Sequence, residues 1–202
     1  MSYYDSRNSL GRTTVVLAAA NIAVYVLGVL SPKLGRAIYA GGVLSLDGVV
    51  LDCEFFRIVT SMFLHADTRH LFSNTVALLY LGDPIEKRLG AVRYLILYFA
   101  AGIGGNLLTI LWELRTMENW NSLGASGAVF GLIGGLLVLC IAYRNRMGSI
   151  TPARVAAMAV YSVYSGFMME NVNNIAHIGG LVTGLAAGAL MVLIPGKTVR
   201  RY

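Results

Sequence analysis

The sequence NVNNIAHIGGLVTGLAAGALMVLIPG, residues 171–196, contains 26 residues and no charged side chain. A helix needs roughly 20 mostly apolar residues to cross the hydrocarbon core of a bilayer. The stretch therefore predicts a membrane-spanning helix. Its glycines Gly180, Gly184 and Gly188 recur every four residues, so they line one helix face and allow a second helix to approach closely.

Other charge-free windows along the chain have the same character. Three of them have spanning length, with 20, 19 and 25 residues: 13–32, 94–112 and 119–143. Two are shorter, with 13 and 15 residues: 70–82 and 155–169. Hydropathy alone allows each short window to be a re-entrant or interfacial helix.

The composition agrees with a membrane protein. Hydrophobic residues make up 56% of the chain and charged residues only 13%, about half of the roughly 25% usual in soluble domains. The formal net charge is +6, but the Lys and Arg residues lie in short clusters between the apolar windows. This distribution is typical of membrane topology signals, so nucleic acid is not expected as a partner.

The basic residues favour six spans. If all six windows cross the bilayer and the N-terminus is cytoplasmic, 11 of the 16 Lys and Arg residues lie on the cytoplasmic side. That excess follows the positive-inside rule. If one short window did not cross, the basic cluster at 144–154 or at 197–201 would move to the outer side. The sequence therefore predicts an all-α, polytopic membrane protein, a six-transmembrane-helix bundle with both termini cytoplasmic.

The predicted organisation is a single membrane domain with short tails. We expect a cytoplasmic tail at residues 1–12, the six-helix domain at residues 13–196 and a second cytoplasmic tail at residues 197–202. The outer connection at residues 33–65 is long for a structureless loop, and we expect it to lie in the membrane interface.

Cysteine and metal-binding patterns are sparse. This topology places Cys53 and Cys140 near opposite faces of the bilayer, so we do not expect them to form a disulfide. The sequence contains neither a CxxC pair nor an H-E-x-x-H motif. We therefore expect no metal and no other cofactor.

Polar side chains interrupt three of the apolar windows at one depth. His70 and Asn74 are four residues apart and project from one helix face. Ser126 lies near the start of the fourth segment, and His177 lies in the outer half of the sixth. In the six-span topology all four residues fall in the outer leaflet. Polar groups at membrane depth are costly and commonly functional, although each alone could also be a structural contact between helices.

Together these groups indicate acyl-transfer chemistry. A serine nucleophile needs a base within hydrogen-bond reach, and His177 can supply it to Ser126. The oxyanion of the reaction needs hydrogen-bond donors. The Ser126 backbone N–H, His70 and Asn74 could donate these bonds.

These residues resemble the rhomboid intramembrane serine proteases over residues 56–188. Four motifs appear in the family's order: His65-x4-His70-x3-Asn74, Glu86-x-Arg88, Gly124-Ala-Ser126-Gly127 and Ala176-His177-Ile-Gly-Gly180.

The resemblance implies a role for each matched residue. Ser126 and His177 form the catalytic dyad, and His70, Asn74 and the Ser126 amide form the oxyanion hole. Glu86 and Arg88 form a structural polar network. The residues that support the site are His65, Gly124, Gly127, Phe130, Asn174 and Gly180.

Two positions depart from the family pattern. Phe130 stands where the family often has tyrosine; its ring can still stack on the His177 imidazole, but the hydroxyl is absent. Phe56-Arg57 replaces a Trp-Arg pair. We expect Phe56 to keep the buried aromatic anchor while losing the indole N–H donor.

The sequence thus predicts a serine endopeptidase that hydrolyses peptide bonds in or near transmembrane segments. Its expected partners are transmembrane protein substrates and membrane lipid. By resemblance, the fifth helix and the loop at 168–171 gate substrate entry. The expected location is a prokaryotic plasma membrane, with the site open to the extracytoplasmic side. The alternatives are a non-catalytic rhomboid-like protein that binds transmembrane clients and, less favoured, a small transporter or channel.

Overall fold

The computed structural model describes residues 9–143 and 149–194. In these residues the chain is helical, and its extended segments meet only in an isolated bridge between Leu44 and Ser122. The predicted tail at 197–202 and most of the tail at 1–12 lie outside the described residues.

The described residues form nine α-helices and one 3-10 turn. In chain order the helices are α1 (Arg12–Leu30), α2 (Pro32–Gly42), α3 (Leu46–Val50), α4 (Arg57–Thr60), α5 (Thr68–Leu89), α6 (Ala91–Thr116), α7 (Ser126–Ala142), α8 (Pro152–Phe167) and α9 (Asn174–Leu193), and the turn is Ser61–Phe63.

Three of the described helices are long and apolar enough to cross a membrane. These are α1, α6 and α9, with 19, 26 and 20 residues. They coincide with three of the predicted spanning windows. Helix α7 is apolar but has only 17 residues, about 25 Å at the usual rise per residue.

The charge-free window at 119–143 is longer than the helix it contains, because α7 begins at Ser126. Ser126 thus lies at the start of the helix, as predicted. Helix α6 ends at Thr116, and the next residue, Met117, adopts a left-handed conformation with φ 59°. The chain then runs extended, and Ser122 exchanges backbone hydrogen bonds of 2.9 and 3.0 Å with Leu44. The first residues of the window therefore form a connection that leads to the helix.

The short second window lies inside a much longer helix. Helix α5 has 22 residues, about 33 Å in length, because it continues through Asp83 and Pro84 at the end of the charge-free run. Asp67 starts the helix by accepting a hydrogen bond of 2.8 Å from the His70 N–H. That bond holds the pKa of Asp67 below its usual range.

The outer connection is folded into short helices held by Arg57. Its guanidinium pairs with Glu54 at 2.5 Å and donates to the carbonyls of Ala40 and Val43, both at 2.9 Å. The prediction that Phe56 is a buried anchor is wrong, since this residue is 53% exposed. The connection is held by the charge and hydrogen bonds of the arginine and not by the neighbouring ring.

Glu86 and Arg88 contact different parts of the bundle. The Glu86 carboxylate accepts hydrogen bonds from the backbone N–H groups of Thr13 and Thr14 at 2.9 and 2.8 Å, and from the Thr14 hydroxyl at 2.8 Å. It thereby caps the start of α1, whose first N–H groups have no helical partner. Arg88 instead lies over the Tyr143 ring, 3.8 Å from its centroid.

The centre of the bundle is the close contact between α7 and α9, which was expected from the glycine spacing. A Cβ atom on Gly188 would lie 3.0 Å from the Gly135 Cα. A Cβ atom on Gly184 would lie 2.5 Å from the Gly131 Cα. Such distances leave no room for side chains, so the backbones of the two helices touch directly.

Candidate active site

Ser126 is the first residue of α7, and the segment before it is fixed by hydrogen bonds. The N–H of Gly124 donates to the Ser61 carbonyl at 2.9 Å. Asn106 on α6 in turn donates to the Ser61 hydroxyl at 3.0 Å and to the Ile58 carbonyl at 2.8 Å. The buried Asn106 was not singled out from the sequence. It connects α6 to the turn that positions the serine.

Gly124 is required by both its conformation and its surroundings. Its φ of 127° is disfavoured for residues with side chains. A Cβ atom there would lie 2.7 Å from the His70 Cε1, 2.8 Å from the His70 Nε2 and 3.7 Å from the Ser126 Oγ. The missing side chain therefore leaves space that is bordered by the histidine and the serine.

His177 lies in the first turns of α9, directly beside the serine. Its Nε2 is 2.9 Å from the Ser126 Oγ, and the residue is buried. The Phe130 ring stacks on the imidazole with centroids 4.1 Å apart and planes 11° apart. The stacking expected for phenylalanine at this position is thus confirmed.

The far side of the imidazole lies toward α8. No described residue hydrogen-bonds the His177 Nδ1. A Cβ atom on Gly166 would lie 3.5 Å from that nitrogen, and Asn174 donates a hydrogen bond of 3.1 Å to the Gly166 carbonyl. Asn174, predicted to support the site, therefore connects the end of α8 to the start of α9.

His70 lies beside the space at Gly124, His65 contacts the His70 ring, and Asn74 follows one turn later on α5. The His65 and His70 rings meet edge to face at 5.0 Å. His65 is fully buried, and burial lowers its pKa to about 4, so the ring is neutral at physiological pH. The buried Asn74 Nδ2 has no hydrogen-bond partner among the described residues. A buried amide donor without a partner is costly and is available to an oxygen atom that enters the site.

Asn173 organises the site and was missed at the sequence level. Its Oδ1 accepts a hydrogen bond of 2.9 Å from the Ala176 N–H, which caps α9. Its Nδ2 donates to the Thr109 hydroxyl at 3.0 Å and to the Ser122 hydroxyl at 2.8 Å. One side chain therefore joins the helix that carries His177 to the segment that leads to Ser126. The signal was present, because asparagine before an apolar run is a preferred N-cap.

We expect Asn173→Ala to slow turnover about tenfold and to leave substrate binding nearly unchanged. The substitution removes the α9 cap and two hydrogen bonds, and small misplacements of reacting groups reduce rates strongly. Steady-state kinetics on a transmembrane substrate would measure the effect. Asn173→Asp, which keeps the acceptor for the Ala176 N–H, should restore part of the rate. Equal losses in both variants would argue against the cap.

Residues 52–194 match the family model of the Rhomboid domain, a range that includes Ser126 and His177. The chain belongs to the rhomboid family. This membership and the three apolar helices of spanning length make it an integral membrane protein.

Several curated rhomboid relatives align with most of the chain. The rhomboid protease GluP of Bacillus subtilis (strain 168) is 32% identical over 147 residues, which cover 73% of this chain and 28% of GluP. RHOMBOID-like protein 4 of Arabidopsis thaliana is 34% identical over 159 residues, which cover 76% of this chain and 38% of the relative. The match with YdcA of Bacillus subtilis is 31% over 153 residues and covers 74% of YdcA. The chain thus spans well under half of the first two relatives.

Proposed function

We propose that this rhomboid protein is an intramembrane serine endopeptidase that hydrolyses peptide bonds in or near transmembrane segments of membrane-protein substrates. The observation that carries the proposal is the distance of 2.9 Å between the Ser126 Oγ and the His177 Nε2. The name of GluP, a rhomboid protease of 32% identity, supports the same chemistry.

The proposed reaction follows the steps of a serine protease with a two-residue dyad. His177 takes the proton of the Ser126 hydroxyl while the oxygen attacks the scissile carbonyl. The imidazolium then gives that proton to the leaving amine, and an acyl-enzyme remains on Ser126. A water molecule, deprotonated by His177, hydrolyses the ester and restores the serine. Stacking on Phe130 orients the ring where a carboxylate would do so in a triad.

The developing oxyanion would be stabilised by three donors. The N–H of Ser126 is among the first of α7, where the helix leaves backbone donors free. The Asn74 Nδ2 is buried and has no partner among the described residues. The His70 ring borders the space left open by Gly124. A donor without a ground-state partner forms its full hydrogen bond only as charge develops, which accelerates the chemical step.

Asn74→Ala is therefore expected to lower kcat about 100-fold, with a change in KM of less than about threefold. The amide stabilises the transition state and adds little to binding of the ground state. Kinetics on a transmembrane substrate would separate the two parameters. A rise in KM at constant kcat would instead assign Asn74 to substrate binding.

We further propose the six-span arrangement for this family member. Helices α5, α7 and α8 would be the three remaining spans, with both chain ends cytoplasmic. The site would open to the extracytoplasmic side of a prokaryotic plasma membrane. Substrate helices would enter beside α8, which packs loosely and exposes Tyr161, Tyr164 and Phe167. The partners would be transmembrane substrates and lipid.

Labelling with a fluorophosphonate probe tests the proposed function. The probe reacts with activated serines, so we expect one adduct on Ser126 of the purified wild-type protein in detergent. Peptide mass spectrometry should find none on Ser122, which lies four residues earlier and accepts a hydrogen bond from Asn173. A folded protein without an adduct on Ser126 would reject the protease and favour the client-binding alternative.

A further inference from the structure

A groove lies between the end of α1 and the start of α2. A single residue, Ser31, separates α1 from α2, and α2 folds back against α1. The two helices can approach closely because glycines lie where they touch. A Cβ atom on Gly35 would lie 2.5 Å from the Gly28 carbonyl oxygen. The groove has a volume of about 370 Å³, and its walls include Tyr25, Val29, Pro32, Arg36, Tyr39 and Ala66.

In a bilayer, the groove would lie at the depth of the lipid headgroups. Helix α1 is apolar over a spanning length and ends at Leu30, so its end lies where the hydrocarbon core gives way to headgroups. Val29 and Leu30 are strongly exposed at this end. Tyrosines are enriched at this depth in membrane proteins, and Tyr25 and Tyr39 line the groove.

The charge of the groove is positive. Arg36 lines it, and Lys33 lies one turn earlier on the exposed face of α2. The structure gives the Arg36 guanidinium no partner among the described residues. Within residues 9–143 and 149–194, no acidic residue lines the groove. Asp67, beside the lining residue Ala66, uses its carboxylate to cap α5. Arginine is suited to phosphate because its planar donors can bind two oxygens at once.

We propose that this groove binds one anionic phospholipid, with the phosphate on Arg36 and an acyl chain along Val29 and Leu30. An anionic headgroup complements Arg36 in the groove, whereas the cation of a choline headgroup would lie beside that guanidinium. The apolar side chain of Val29 favours a lipid over a free phosphate, because an acyl chain can pack along it while the phosphate binds Arg36.

The groove also connects to the segment beside the candidate active site. The hydroxyl groups of its two tyrosines reach the start of α5. Tyr39 donates to the His65 carbonyl, and the Tyr25 hydroxyl lies 2.9 Å from the Thr68 hydroxyl oxygen. A lipid packed against both rings would restrain residues 65–68. Lipid binding should therefore stabilise the protein as well as fill the groove.

Native mass spectrometry in detergent can test the groove with phosphatidylglycerol and phosphatidylcholine of identical acyl chains. We expect the wild type to retain phosphatidylglycerol preferentially. Arg36→Gln should weaken that binding about tenfold, because a charge-assisted phosphate contact is lost. The matched variant Lys33→Gln removes the same charge outside the groove and should change binding less than about threefold. Phosphatidylglycerol should raise the melting temperature of the wild type more than that of Arg36→Gln.

Several results would overturn the proposal. Equal losses in the two variants would mean that α2 attracts anionic lipid only by its general charge. Unchanged binding in a folded Arg36→Gln protein would place the lipid elsewhere. Displacement of the lipid by millimolar inorganic phosphate would identify a phosphate site that does not require an acyl chain. The experiment needs no catalytic activity, so its outcome is independent of the proposed protease.

Discussion

Ser126→Ala and His177→Ala are each expected to lower the cleavage rate of a transmembrane substrate by about 10³-fold or more. Ser126→Ala removes the attacking oxygen. His177→Ala removes the base that lies 2.9 Å from it and the acid that protonates the leaving amine. In serine hydrolases whose residues act as one unit, loss of either member removes most of the acceleration.

The decisive feature of this prediction is non-additivity. The double variant should be no slower than either single variant, since neither residue can act without the other. Cleavage can be measured in detergent or liposomes by gel analysis of a substrate with a single transmembrane segment. Cys53→Ala removes an exposed thiol and should retain full activity. This control tests whether the thiol, rather than Ser126, acts as the nucleophile.

Two outcomes would contradict the dyad. A His177→Ala protein that keeps most of its activity would remove this residue as the base. Rate losses that multiply in the double variant would show that the two residues contribute independently. Circular dichroism of each variant would show whether the fold is retained, since His177 packs against Phe130.

Gly184→Ala is expected to destabilise the protein by about 3 kcal/mol, a large value for one added methyl group. The Cβ atom would lie 2.5 Å from the Gly131 Cα and 2.6 Å from its carbonyl carbon. Both neighbours are backbone atoms, which cannot rotate away as a side chain can. Helices α7 and α9 would have to separate. The melting temperature should fall by about 10 °C in a domain of this size.

Gly41→Ala is the matched control for this substitution. It adds the same methyl group to another helix, but a Cβ atom there meets nothing within 4 Å. Its melting temperature should be unchanged or slightly raised, because alanine reduces the freedom of the unfolded chain. If Gly184→Ala were as stable as Gly41→Ala, close backbone contact would not hold α7 against α9. Activity should fall with stability at Gly184, because these two helices carry Ser126 and His177.

The sequence predicted much of this architecture because its main signals are local. Runs without charge located the three apolar helices of spanning length, and glycines at four-residue intervals predicted the contact between α7 and α9. The motifs around Ser126 and His177 indicated the family that the comparison established. The six-span topology and the roles of individual residues remain predictions.

Where the sequence interpretation was wrong or silent, the cause lies in contacts between distant residues. The charge-free window that contains α7 also includes residues 119–125, but Ser122 pairs with Leu44 and the helix begins only at Ser126. Phe56 is hydrophobic, but Arg57 holds the connection and the ring stays exposed.

The amino-acid sequence was enough to predict a helical membrane protein and the residue types that could perform its chemistry. Helix length, charge and the spacing of small residues are properties of single segments, so they can be read without knowing which segments touch in the fold. Only the tertiary structure decided that the Ser126 hydroxyl lies beside the His177 imidazole, that Asn173 joins their two segments, and that α2 forms a basic groove with α1. These features depend on distances between residues far apart in the chain, and those distances are fixed by the packing and hydrogen bonds of the folded chain.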